Sequence, residues 1–340
     1  MERQEIDNYK ANWFDKNHIG FVNLILYTLC PHSNKERNEL VLSRPKQADE
    51  INSLWPRPWL YLRTFLIMLA GMMILYVCWR LEHRYESSAL LPGITVLGSL
   101  TVPITLLVFF WETNKWRSLT LLDVLRSLLL GSCIAIAITF LLQYFLDYLP
   151  GENLFNPDKK LFNNESYSIT LRQMLDYGLT PVAITALTEE FAKAVTIYII
   201  LFLHRKECRI LQGVLTGAAV GAGFAVFESA GYIFSDPDNL LSGIIIRSLT
   251  APACHVAWGA LIGGAMAKAA KGKFRLLTML KPLSVIAFAF VCLLHFCWNY
   301  LLDTSITINR NVELSVVTWF FLLLLIRQGL HEIERIKAQS

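Results

Sequence analysis

Charge is scarce in this chain. Only 17% of its 340 residues are Asp, Glu, Lys or Arg, while 54% are hydrophobic. Soluble domains carry about 25% charge, so the balance excludes an ordinary soluble domain and points to an integral membrane protein. The first 18 residues are polar, with no short apolar run ending in small residues, and no signal peptide is expected. The seven cysteines include no Cys-x-x-Cys, and no disulfide framework is expected. Cys78, Cys133, Cys254, Cys292 and Cys297 fall in apolar stretches and read as small buried hydrophobes. His-Glu-x-x-His is absent, as is Gly-x-Ser-x-Gly, so neither the soluble zinc-protease signature nor the nucleophile elbow is present. No apolar segment holds a Tyr-Asp or Gly-Asp pair of the intramembrane aspartyl kind. The net charge of +4 is small, and no nucleic-acid partner is expected.

What the chain does have is long apolar runs. Eight are helix-length, at about 59–79, 89–111, 127–149, 181–203, 211–234, 243–267, 282–302 and 312–329. A spanning helix needs about 20 residues, whereas a barrel strand needs about 10. The expected fold is therefore an all-α polytopic membrane protein of about eight transmembrane helices. A shorter run, Ile19 to Cys30, is too short to span and reads as an interfacial helix.

Five regions follow: an N-terminal region 1–57, three spans in 58–149, a loop 150–180, a four-span core in 181–302, and a last span with its tail in 303–340. Basic residues set the expected orientation. Arg205, Lys206 and Arg209 lie between spans 4 and 5, and Lys268, Lys271, Lys273, Arg275 and Lys281 lie between spans 6 and 7. The loop 235–242 has no basic residue and carries Asp236 and Asp238. The positive-inside rule then places both termini in the cytoplasm and the 150–180 loop outside.

Polar residues interrupt the core spans. Glu189 and Glu190 sit side by side in span 4, with Lys193 one turn on; Glu228, His255 and His295 each occupy a different later span. A charged group at membrane depth costs roughly 2.5–3.5 kcal/mol on insertion scales and marks a functional site by default. At 1.5 Å per residue, all four levels fall in the outer half of the bilayer, within roughly 10 Å of one another. Each residue has a plainer explanation. One glutamate could pair with Lys193 on the same helix, and a lone histidine could bond to a neighbouring helix. Taken together, three carboxylates and two imidazoles in low dielectric are most cheaply satisfied around one cavity or metal ion. Gly213, Gly217 and Gly221 in span 5, and Gly259, Gly263 and Ala267 in span 6, are spaced for close helix packing.

A carboxylate base with histidine donors suits activation of water for hydrolysis. The same residues could instead ligate a zinc ion that activates the water. Asn299, one turn after His295, can donate hydrogen bonds beside the imidazole. Two other classes use similar parts. A proton- or cation-coupled transporter needs intramembrane Glu, His and Lys, although no inverted repeat or paired broken helices are visible. A non-catalytic binding or immunity protein would keep the packing without the chemistry.

The motifs also carry a resemblance. Glu189-Glu190-Phe191-Ala192-Lys193, Phe224-Ala225-Val226-Phe227-Glu228 followed by Tyr232, His255, and His295-Phe296-Cys297-Trp298-Asn299 occur in order. Together they resemble the motif set of the PrsW family of intramembrane proteases, which is distantly similar to the CAAX prenyl endopeptidases. Ser229 departs from the Asn expected after the glutamate. The resemblance implies a protease of the bacterial cytoplasmic membrane. Its implied partners are the bilayer and a single-span membrane protein of the anti-sigma-factor kind, cleaved near the extracytoplasmic face. Under it, Glu189 or Glu190 is the general base or a metal ligand, and Lys193 tunes the pair. Glu228 and His255 position the water, and His295 with Asn299 stabilises the oxyanion, or His295 ligates metal. Both a metallo form, with Zn2+ held among Glu189, Glu190, Glu228, His255 and His295, and a metal-free glutamic form are compatible with it.

Overall fold

A computed structural model describes most of residues 66–84, 91–148, 179–203, 208–235, 240–300 and 307–339. The expected N-terminal region 1–57, the interfacial run at 19–30 and nearly all of the 150–180 loop lie outside the described residues. The described residues are helical almost throughout, with no strand beyond a single backbone bridge between Cys208 and Gly272.

The helices are α1 (Leu91–Thr113), α2 (Leu121–Leu130), α3 (Ile136–Tyr148), α4 (Thr180–Leu203), α5 (Ile210–Ser235), α6 (Leu240–Ala270), α7 (Pro282–Tyr300) and α8 (Thr307–Gln339). A five-residue π segment, Gly131–Ala135, joins α2 to α3, so the two run on as one rod. That rod begins earlier than the apolar run at 127–149 suggests, because Thr120 caps it. The Thr120 hydroxyl accepts from the Asp123 N–H at 3.0 Å, and the Asp123 carboxylate accepts from the Thr120 N–H at 3.0 Å. This reciprocal pair satisfies two of the donors a helix start leaves open.

Among the described residues, five helical stretches are long and apolar enough to cross a bilayer: Thr95–Thr113, Leu121–Leu146, Ile210–Gly231, Pro282–Tyr300 and Asn311–Gln339. α4 has the length, 24 residues or about 36 Å, but carries Glu189, Glu190 and Lys193. The last helix is longer than the run 312–329 implies, since its polar ends continue the same coil to Gln339.

α5 and α6 form the centre, and glycine makes their contact possible. A Cβ on Gly217 would stand 1.9 Å from the Gly259 carbonyl oxygen, and one on Gly213 would stand 2.2 Å from that of Gly263. The backbones touch where side chains would hold them apart, as the small-residue spacing predicts. On the far side of α5, a Cβ on Gly223 would lie 2.0 Å from the Leu128 carbonyl oxygen, and Ser132 donates to the Gly223 carbonyl at 3.0 Å. α5 is thus gripped from both sides. Its upper end, where Glu228 sits, is held in register with α6. At Gly221, a Cβ would stand 2.2 Å from the carbonyl oxygen of His255 itself.

Candidate functional site

Four helices each deliver part of one buried polar cluster: α4 with Glu189, Glu190 and Lys193, α5 with Glu228, α6 with His255 and α7 with His295. Glu189, Glu190, Lys193, His255 and His295 are all buried. Glu190 and Lys193, three residues apart, are on one face of α4, and that face points at α6 and α7.

Lys193 is the hub. Its ammonium donates to Glu190 Oε1 at 2.5 Å and lies 2.9 Å from Nδ1 of His255. It also stands 4.4 Å from the centroid of the Phe224 ring, within cation–π range. An ammonium has only donors, so Nδ1 of His255 must accept. The neutral ring then carries its proton on Nε2, which lies 2.9 Å from Glu228 Oε2.

His295 is set the other way round. Its Nδ1 is 2.7 Å from Glu190 Oε1. A carboxylate accepts only, so Nδ1 carries a proton, and in the neutral ring Nε2 is left with its lone pair exposed to the cluster. That lone pair faces Glu189 Oε2 across 3.8 Å. The two glutamates therefore differ sharply. Oε1 of Glu190 receives both Lys193 and His295, whereas Glu189 accepts no hydrogen bond among the described residues; Oε2 of each glutamate is buried without a partner there.

The donor set fits a metal ion in part. Glu189, His255 and His295 can each offer one ligand atom, all within 4.8 Å of one another. Tetrahedral zinc spaces its ligand atoms by about 3.3 Å, so a modest closure would be required. The Glu190 carboxylate bonded to the outer nitrogen of His295 is the arrangement that orients a metal-binding imidazole. The unpartnered Glu189 oxygen is a ready ligand. His255 joins such a set only when its Nε2 proton leaves. Glu190 has its Oε1 already engaged by two donors, and Glu228 faces His255.

Of the sequence candidates, Glu189, Glu190, Lys193, Glu228, His255 and His295 come together. Asn299 does not join them: it is half-buried on α7 and makes no hydrogen bond to the cluster among the described residues. Two residues were not anticipated. Trp258 is fully buried, tilted over His295 at 4.9 Å between ring centroids and edge-on to His255 at 5.3 Å. Its indole N–H donates to the hydroxyl of Thr318 on α8 at 3.2 Å. Trp258 lies one helical turn after His255, a spacing visible in the sequence; nothing local marks Thr318.

The model of a family described as PrsW family intramembrane metalloprotease matches residues 120–326, more than half of the chain and every residue of the cluster. A protein named Protease PrsW from Halalkalibacterium halodurans is 26% identical over 167 residues, covering 49% of this chain and 65% of that protein. The match thus spans less than two thirds of that relative's length. No solved structure matches the chain.

Proposed function

This chain belongs to the PrsW family of intramembrane metalloproteases, and we propose that it is an endopeptidase that hydrolyses a peptide bond of a single-span membrane protein. The observation that carries the reading is the unequal treatment of the paired glutamates. Each keeps a buried Oε2 open, but Glu190 is held through Oε1 by Lys193 and His295, while Glu189 accepts no hydrogen bond among the described residues and is free to take a proton.

In this reading Glu189 is the general base. A water donating one proton to Glu189 Oε2 and the other to His295 Nε2 fits between two acceptors 3.8 Å apart, and its own lone pair is left to attack a carbonyl carbon. Glu189 takes the proton as the tetrahedral intermediate forms and returns it to the leaving amine. His255, with its proton on Nε2, is the nearest imidazole donor for the developing oxyanion. Glu228 orients that donor. Asn299 approaches the oxyanion only if substrate binding rotates its amide inward. Zn2+, when bound, would be held by Glu189, His255 and His295 and would supply Lewis-acid activation of the water.

We read eight spans in all with both termini in the cytoplasm of a bacterial cell, an orientation the basic loops support. The cluster then lies in the outer half of the membrane, so cleavage falls near the extracytoplasmic face, and the substrate is a single-span protein of the anti-sigma-factor kind. The test combines elemental analysis with cleavage of single-span candidates in lipid nanodiscs, with and without chelator, and product mapping by mass spectrometry. A single mapped cut, lost in Glu189→Gln, is expected; stoichiometric zinc with chelator-sensitive cleavage would make Glu189, His255 and His295 a ligand set, and cleavage indifferent to chelator would leave Glu189 as base and His255 as donor. Glu189-dependent ion flux into liposomes, with no cleavage of any candidate, would overturn the reading in favour of a transporter.

A further inference from the structure

We propose that the loop joining α6 to α7 is a binding site for the headgroup of an anionic phospholipid. The proposal uses the membrane-spanning fold and is independent of the protease reading.

The loop is short and firmly built. Lys271 and Gly272 both adopt positive φ, 53° and 87°, which turns the chain sharply at the end of α6. The Cys208 N–H donates to the Gly272 carbonyl at 3.1 Å and ties the turn to the start of α5. A 3-10 helix, Leu276–Leu280, follows, braced by the Tyr198 hydroxyl donating to the Leu276 carbonyl at 2.9 Å. Lys281 donates to the Ala269 carbonyl at 2.6 Å, closing the loop on itself.

This framework gathers four cations, Lys271, Lys273, Arg275 and Lys281, around an open cavity of about 440 Å³. No carboxylate pairs with any of them among the described residues. Beside the cavity, the 3-10 helix turns three leucines outward: Leu276 is 69% exposed, Leu277 65% and Leu280 69%. The loop links two membrane helices, so these leucines lie at the bilayer boundary.

A ligand that satisfies both halves of this surface carries negative charge at one end and hydrocarbon at the other. A free anion would meet the cations and leave the leucines in water. A zwitterionic lipid would cover the leucines and leave the charge uncompensated. Basic pockets at the ends of membrane helices take anionic headgroups for the same reason.

The test uses the full chain in nanodiscs of phosphatidylcholine, with and without phosphatidylglycerol, read by thermal unfolding and by lipid retained in native mass spectrometry. Phosphatidylglycerol should raise the unfolding midpoint and remain bound. The triple variant Lys271→Gln, Lys273→Gln, Arg275→Gln should unfold as wild type in phosphatidylcholine and lose the shift. Its affinity should fall about fivefold per cation removed, or roughly a hundredfold in all. A control, Arg327→Gln, Arg335→Gln, Lys337→Gln, removes as much charge elsewhere and should keep the shift. Leu276→Ser with Leu280→Ser should weaken lipid retention. An undiminished shift in the loop variant, an equal loss in the control, or full reproduction of the shift by inorganic phosphate would each overturn the proposal.

Discussion

Glu190 Oε1 stands 2.7 Å from Nδ1 of His295, 105 residues further along the chain, and the same oxygen receives the ammonium of Lys193. One carboxylate oxygen thus fixes the tautomer of one histidine and holds the cation that fixes the tautomer of the other.

The first consequence concerns stability. Glu190→Gln removes the hydrogen-bonded counter-charge of the fully buried Lys193, a change that costs about 3–5 kcal/mol for a broken buried pair. The double variant Glu190→Gln, Lys193→Met removes both charges and should recover most of that loss. Thermal unfolding of the two variants in one detergent checks this, and a double variant no more stable than the single one would contradict it.

Trp258 and Thr318 form the second test. Thr318→Val strands the buried indole N–H of Trp258, at about 1–3 kcal/mol, while Thr318→Ser keeps the acceptor. If Trp258 positions the two imidazoles, Thr318→Val should lower kcat with little change in KM, and Thr318→Ser should restore it. A loss of stability with unchanged kcat would leave Trp258 a packing residue only.

Gly221 offers a third. A methyl group there meets the His255 carbonyl oxygen at 2.2 Å, so Gly221→Ala must push α6 away and carry His255 with it. Gly231, on the same helix, has nothing within 4 Å of its added Cβ, and Gly231→Ala should be neutral or slightly stabilising through helix propensity. Unfolding midpoints and cleavage rates for the two variants should separate clearly.

Cys208 lies in the connection before α5, where burial, with the nearby Glu332 carboxylate, pushes its thiol up to about 12 from 9.0. The folded state therefore favours the protonated thiol more than the unfolded state does. This contribution to stability is complete below about pH 9 and is lost as pH rises from there towards 12. Maleimide labelling at mildly alkaline pH should spare Cys208 in the folded protein and reach it after unfolding.

Much of this was legible in the sequence, for physical reasons. A bilayer demands apolar runs of helical length, so α1, α5 and α7 fall close to where hydropathy puts them. Charged side chains in such runs are costly enough that Glu189, Glu190, Glu228, His255 and His295 stand out unaided. The glycine spacing of α5 and α6 foretold a backbone contact because only glycine permits one. The division of labour between adjacent glutamates was not legible. It depends on which carboxylate lies toward Lys193 and His295, a question of helix rotation and side-chain rotamer. Thr318 was invisible for a related reason: its role is a single bond to a residue 60 positions away. The start of α2 was missed because a Thr–Asp capping box, not hydropathy, sets it.

The central claim is that Glu189, with its open oxygen, activates the water. The most direct test is the rate of cleavage of one mapped substrate by wild type and by Glu189→Gln, both shown to be inserted and folded by matching unfolding curves. Glu189→Gln should lose at least a thousandfold in rate while keeping its stability, since its side chain accepts no hydrogen bond among the described residues; general-base catalysis alone contributes about 10²–10⁴-fold. Cleavage by Glu189→Gln at the wild-type rate would contradict the account.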